Sequence, residues 1–157
     1  MLHLSGYAIP VGVLAALAAV GFRYMIGFFN NLFFLGTLSF DMDLRDPIVT
    51  RWPLALVVVI PAVGILLASI LTRRLAPEAK GHGVPEVMYA VVEEGGRIRP
   101  VVAFVKLIAS ALTIGSGGSA GTAGPIIQMG SGLGSSIGQL FKLSPREVII
   151  LVGAGVA

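Results

Sequence analysis

Residues 113–134, TIGSGGSAGTAGPIIQMGSGLG, decide how this chain folds. Glycine is the commonest residue in this segment, and an apolar run lies on each side of its centre, at 101–114 and at 125–141. Each run is shorter than the roughly 20 apolar residues that a single membrane span needs. We therefore expect broken membrane helices, with irregular backbone that is buried in protein or lines a polar cavity.

Composition agrees with a membrane protein. Of the 157 residues, 55% are hydrophobic and 12% are charged, whereas soluble domains carry about 25% charged residues. The net charge of +3 is small, so we expect no nucleic acid as a partner. The chain has no cysteine and only two histidines, His3 and His82, which lie far apart in sequence. We therefore expect no metal site and no cofactor.

Two longer apolar segments predict full membrane spans. The first covers residues 8–36 and is interrupted by Arg23, which we expect to face protein, a water path or a lipid headgroup. The second covers residues 52–75. We interpret the acidic loop 37–51, with Asp41, Asp43 and Asp46, as solvated, since it lacks the glycine and glutamate of an EF-hand. The positive-inside rule places two basic connections in the cytoplasm, one with Arg73, Arg74, Lys80, Arg97 and Arg99, the other with Lys142 and Arg146.

A second glycine motif, GHGVPE at 81–86, precedes a short apolar stretch. We predict helices that begin near Pro85 and Pro125, because proline favours the first helical position. Their N-termini would attract anions. His82 is either a site residue or an ordinary loop histidine. Lys106 either supplies a positive field near an anion path or extends to the cytoplasmic end of its helix.

Other functions are less consistent with the sequence. Residues 115–120 fit a G-x-G-x-x-A dinucleotide pattern, but no acidic residue follows at about 20 positions. An enzyme is not expected, because the serines of this region lack a nearby base and no carboxylate lies between Glu94 and Glu147. We expect Gly130, Gly132 and Gly134 to serve close helix packing.

These residues resemble the CLC family of chloride channels and proton-coupled chloride transporters. Residues 81–86 are similar to the family's G-S-G-I-P-E motif, and residues 117–128 to its G-R-E-G-P-x-x-Q motif with the preceding glycines. Lys106 falls where the family usually has a lysine. The resemblance implies an all-α integral membrane fold of tilted and broken helices with inverted repeats. Residues 1–157 would form the first half of its transmembrane domain, a chain cut short before the second repeat.

The resemblance also implies an anion site and two departures from the family. Ala123 stands at the position of the gating glutamate, and His82 at that of the motif serine. We therefore expect passive permeation of chloride or another small anion without proton coupling. The alternatives are a proton-coupled antiporter and an inactive membrane fragment. We expect a lipid bilayer location, in the inner or plasma membrane, and a homodimer for the full-length protein. The implied anion-binding residues are Gly81, His82, Gly83, Val84, Pro85, Gly121, Thr122, Ala123, Gly124 and Pro125, with electrostatic support from Lys106.

Overall fold

The computed structural model describes residues 2–40, 52–77 and 83–157, and within these ranges the secondary structure is entirely helical. The first helix continues into a π-helical turn that ends at Leu35 and is followed by Gly36, whose φ is 66°. The helices are α1 (Leu2–Asn30, followed by the π-helical turn Asn31–Leu35), α2 (Leu54–Leu75), α3 (Val84–Glu93), α4 (Pro100–Gly115), α5 (Ala123–Leu140) and α6 (Pro145–Val156).

Two segments are long and apolar enough to cross a membrane, Gly6–Leu35 and Ala55–Leu75. They coincide closely with the two spans predicted from sequence. Most of their surface faces outward: Leu17 is 63% exposed and Val58 is 73% exposed. Apolar side chains turned outward in this way suit contact with lipid. Arg23 is exposed on α1.

The central core joins α1, α4 and α5. Its buried members are Phe22 and Ile26 from α1, Leu107 and Ala111 from α4, and Met129 from α5. The two residues from α1 are four positions apart, as are the two from α4, and this spacing places each pair on one face of its helix. This core holds α5 between α1 and α4 and so fixes the direction in which its N-terminus points.

Glycines form a seam between α5 and its neighbours. An added Cβ on Gly130 or Gly134 would overlap a backbone carbonyl of α6, and one on Gly138 would lie 2.9 Å from a side-chain methyl of that helix. On the other side of α5, a Cβ on Gly132 would lie 2.6 Å from the Cβ of Ala103 on α4. The packing role predicted for Gly130, Gly132 and Gly134 is confirmed, since only hydrogen fits at these contacts.

Candidate functional site

The two glycine motifs meet in space. Gly83, directly before α3, lies against the first turn of α5: an added Cβ there would be 2.8 Å from the carbonyl oxygen of Gly124 and 3.2 Å from Oε1 of Gln128. The N-termini of α3 and α5 are therefore neighbours, although 41 positions separate Gly83 from Gly124 in sequence. We refer to this contact as the α3–α5 junction.

The N-terminus of α3 is shaped by Gly83 and Glu86. Gly83 has a φ of 90°, a conformation that side-chain-bearing residues rarely adopt. Its backbone N–H donates to Oε2 of Glu86 over 2.9 Å, so this carboxylate satisfies one of the donors that a helix start leaves open. The helix begins at Val84, one residue before the predicted Pro85. Gly81 and His82 lie outside the described residues.

The N-terminus of α5 carries no such carboxylate. Its first turn contains no acidic residue, and no described side chain caps it at Thr122. The helix begins at Ala123 rather than at the predicted Pro125, because a proline is tolerated anywhere in the first turn, where its missing N–H would have no helical acceptor. Gly121, Thr122 and Ala123 are exposed, and an added Cβ on Gly121 would meet nothing within 4 Å. The open donors of this helix start therefore face accessible space.

The loop between α4 and α5 is anchored at one end and open at the other. Ser116 is buried and donates to the carbonyl of Thr113 over 2.9 Å. Asn30 of α1 donates to the carbonyl of Gly115 over 3.2 Å, which satisfies an acceptor at the C-terminus of α4. From Ser119 onward the loop is exposed. The irregular backbone predicted between the two apolar runs is present, from Ser116 to Thr122.

Lys106 is half-buried on α4 and interacts electrostatically with Glu86. Glu86 is the residue that caps α3, so the structure connects Lys106 with the junction through this carboxylate. A cation near a carboxylate reduces the negative field that the carboxylate alone would set up. The charge of Lys106 thus offsets part of the negative charge at the α3 end of the junction.

Sequence reasoning missed two features of this region. Gln128 is only 1% exposed and lies at the junction, although the motif comparison gave it no role. Its position four residues after Gly124 was the available signal, since residues four apart share a helix face. The second is a clamp on the connection between α3 and α4: buried Ser135 accepts from the N–H of Ile98 over 2.8 Å and donates to the carbonyl of Gly96 over 2.6 Å.

Within the described ranges, no group of three or more histidine, cysteine, aspartate or glutamate residues could hold a metal ion. Asp41, Asp43 and Asp46 lie outside those ranges, so the interpretation of their loop as solvated stays a prediction. The junction offers backbone N–H donors, glycines that permit close approach, and the carboxylate of Glu86, which caps α3.

The sequence match to a protein family shows the family to which this chain belongs. The family described as voltage-gated chloride channel matches residues 64–157, more than half of the chain. The chain belongs to this family. That range contains both glycine motifs and the whole α3–α5 junction. With its two long apolar helices, the chain is an integral membrane protein.

Curated relatives match over nearly the whole chain. The H(+)/Cl(-) exchange transporter ClcA of Klebsiella pneumoniae (strain 342) is 34% identical over 155 residues, which cover 96% of this chain and 31% of the relative. ClcA of Salmonella arizonae is 32% identical over 154 residues, covering 94% of this chain and 30% of the relative. The chain thus spans about a third of the length of these relatives, whose names are those of transporters rather than of enzymes. No solved structure gives a significant match.

Proposed function

We propose that this chain contributes part of a chloride pathway across the membrane, with the anion held at the α3–α5 junction. The observation that supports this most is the contact between Gly83 and Gly124, which places two helix N-termini side by side. Each N-terminus carries about half a positive charge and open N–H donors, so a pair of them favours an anion. The complete pathway is a property of the full-length protein.

The two sides of the junction have different roles in this proposal. Residues 121–125 form the outer side, where the uncapped start of α5 offers its N–H groups. Residues 81–85 form the inner side. The N–H of Gly83 is already bonded to Glu86 and Pro85 has none, so the backbone N–H groups of Val84 and Glu86 are the remaining first-turn donors of α3. Lys106 supports the site by offsetting the charge of Glu86.

Permeation without proton coupling follows from the residue at the outer side. Ala123 has only a methyl group, which neither competes with an anion for the N–H donors nor carries a proton. The sequence has no carboxylate between Glu94 and Glu147, so α4, the glycine loop and the junction end of α5 contain no acid that could replace it. On the outer side of the junction, therefore, this chain offers an anion backbone N–H donors and no competing carboxylate, whereas Glu86 lies on the inner side.

The second candidate function is proton-coupled anion exchange. It is favoured by the names of the curated relatives, which describe H(+)/Cl(-) exchange. It would require a proton route outside the segment from α4 to α5. A third reading, an inactive membrane fragment, predicts no transport at all. The homodimer and the location in an inner or plasma membrane stay predictions for the full-length protein.

The deciding experiment is anion efflux from liposomes that contain the full natural gene product, with internal pH recorded at the same time. Chloride efflux that needs a potassium shunt and moves no protons is the expected result. Protons moving in a fixed ratio to chloride would replace the first proposal by the second. A protein that is folded in the liposomes but carries no anion would refute both.

A further inference from the structure

An apolar groove runs between α1, α4 and α5. It has a volume of about 490 Å³, and Ser136 is the one polar side chain among the described residues that line it. The hydroxyl of Ser136 donates to the carbonyl of Gly132 over 2.6 Å, so its proton is already bonded within its own helix. Apolar cavities of this kind stay dry and bind apolar molecules.

Small residues leave the space that forms the groove. Ala18 and Gly21 of α1, Ala103 of α4 and Gly132 of α5 all line it. An added Cβ on Gly21 would meet nothing within 4 Å, so the space beside this glycine is open. Protein interiors contain few voids larger than a water molecule. A space of this size between helices of a membrane protein is therefore expected to be occupied.

The length of the groove matches one leaflet of a bilayer. Its lining on α1 extends from Leu14 to Met25, within the membrane-spanning segment Gly6–Leu35. At a rise of about 1.5 Å per helical residue, these two residues lie about 16 Å apart along the helix. The hydrocarbon core of a bilayer is about 30 Å thick, so each leaflet contributes about 15 Å. A single acyl chain can thus lie along the groove.

A basic residue stands at the end of the groove where α4 begins. Pro100 is the first residue of α4 and lines the groove, and the exposed Arg99 directly precedes it. The first turn of α4 contains no acidic residue that would oppose a negative charge there. A guanidinium group binds phosphate through several N–H donors, and basic residues at the membrane surface attract anionic lipids.

We propose that this groove binds one acyl chain of an anionic phospholipid, with the phosphate of the headgroup against Arg99. The lipid belongs to the leaflet on the side of the membrane where α4 begins. The groove takes the chain because its walls are apolar, and Arg99 selects for negative charge. The site does not depend on whether an anion passes the α3–α5 junction, since neither Gly83 nor Gly124 lines the groove.

Tryptophan fluorescence gives a direct test of lipid contact. Phe104 lines the groove and is 60% exposed, so Phe104→Trp places a reporter on its wall. Val58→Trp, at a position of α2 that is 73% exposed, reports ordinary contact with lipid. Both variants are made in the full natural gene product, with Trp52 and any other tryptophan replaced by phenylalanine. They are reconstituted with phosphatidylglycerol or phosphatidylcholine brominated in the acyl chains, because bromine quenches tryptophan on contact.

Brominated phosphatidylglycerol is expected to compete for position 104 about fivefold better than brominated phosphatidylcholine, which is the factor that one basic residue near the headgroups supplies. Position 58 should show no such preference, and Arg99→Gln should abolish it at 104. Equal preference at 104 and 58 would overturn the proposal. Absence of quenching at 104 would also overturn it, because another part of the protein or a second copy then covers the groove. If Phe104→Trp does not fold, Leu17→Trp reports from the α1 wall.

A side chain that fills the groove provides a second test. Gly21→Leu extends into the open space of the groove and is expected to remove the preference for phosphatidylglycerol at position 104. Gly12→Leu is the matched control on the same helix: an added Cβ there also meets nothing within 4 Å, but Gly12 does not line the groove. An unchanged preference in folded Gly21→Leu would refute the groove as the lipid site.

Discussion

Gly83→Ala is the substitution that most directly tests the geometry of the α3–α5 junction. The new Cβ would lie 2.8 Å from the carbonyl oxygen of Gly124, while ordinary contacts begin at 3.4 Å, so the two helix starts must separate by about 0.6 Å. The φ of 90° at this position adds strain that any side chain would feel. Residues held in such backbone conformations cost about 1–3 kcal/mol each. We expect the free energy of unfolding to fall by about that amount.

The matched control is Gly121→Ala at the other side of the same site. There an added Cβ meets nothing within 4 Å, so the substitution should leave stability unchanged. Both variants are compared by thermal unfolding in detergent and by chloride efflux from liposomes. If the strain raises the free energy of the anion-bound protein relative to the anion-free protein, each 1.4 kcal/mol of that increase weakens anion affinity about tenfold. Equal stability and equal efflux in the two variants would refute the packing of Gly83 against α5.

Three further predictions follow from the packing and from the site. Gly134→Val should lower the free energy of unfolding by about 3 kcal/mol because it pushes α6 away, whereas Gly153→Val, whose Cβ meets open space, should have little effect in the same thermal assay. Ser135→Ala should cost about 1–3 kcal/mol by leaving a buried N–H unpaired, while Ser136→Ala, which loses only a bond within its own helix, should stay close to the parent. Ala123→Glu should make chloride efflux fall as pH rises, because the ionised carboxylate competes with chloride for the N–H donors of α5, an interaction worth up to about 2 kcal/mol. The uncharged control Ala123→Gln should show no pH dependence. Efflux that is independent of pH in the Glu variant would contradict the assignment of position 123 as the gate.

Much of the local structure could be predicted from sequence. The break between 101–114 and 125–141 is visible because glycine and serine replace apolar residues where a span should continue. Ser144 and Glu147 have the S-x-x-E spacing that is typical of a capping box, and the N–H of Ser144 donates to the carboxylate over 2.9 Å. The helix-packing glycines were also predicted, because small residues at four-residue spacing let two backbones approach.

The contacts between distant segments could not be predicted in the same way. The local sequence of residues 81–86 does not predict that Gly83 contacts Gly124, because this contact depends on how α3 packs against α5. The burial of Gln128 has the same origin: a polar residue on an apolar helix gives no sign of which neighbour covers it. The sequence also does not distinguish Ser135 from the other serines of α5. Ser135 forms the clamp because the α3–α4 connection passes beside it.

The glycine seam between α5 and α6 has a consequence for the response to membrane voltage. Because glycines of one helix interlock with carbonyls of the other, α5 cannot slide along its axis without losing these contacts. The depth of its N-terminus in the bilayer is therefore set by α6. A charge crossing the whole membrane at 100 mV changes in energy by about 2.3 kcal/mol. A slip of one helical turn, about 5.4 Å of a core about 30 Å thick, would alter that energy by about 0.4 kcal/mol. The seam thus fixes the fraction of the transmembrane field that an ion at the end of α5 would experience.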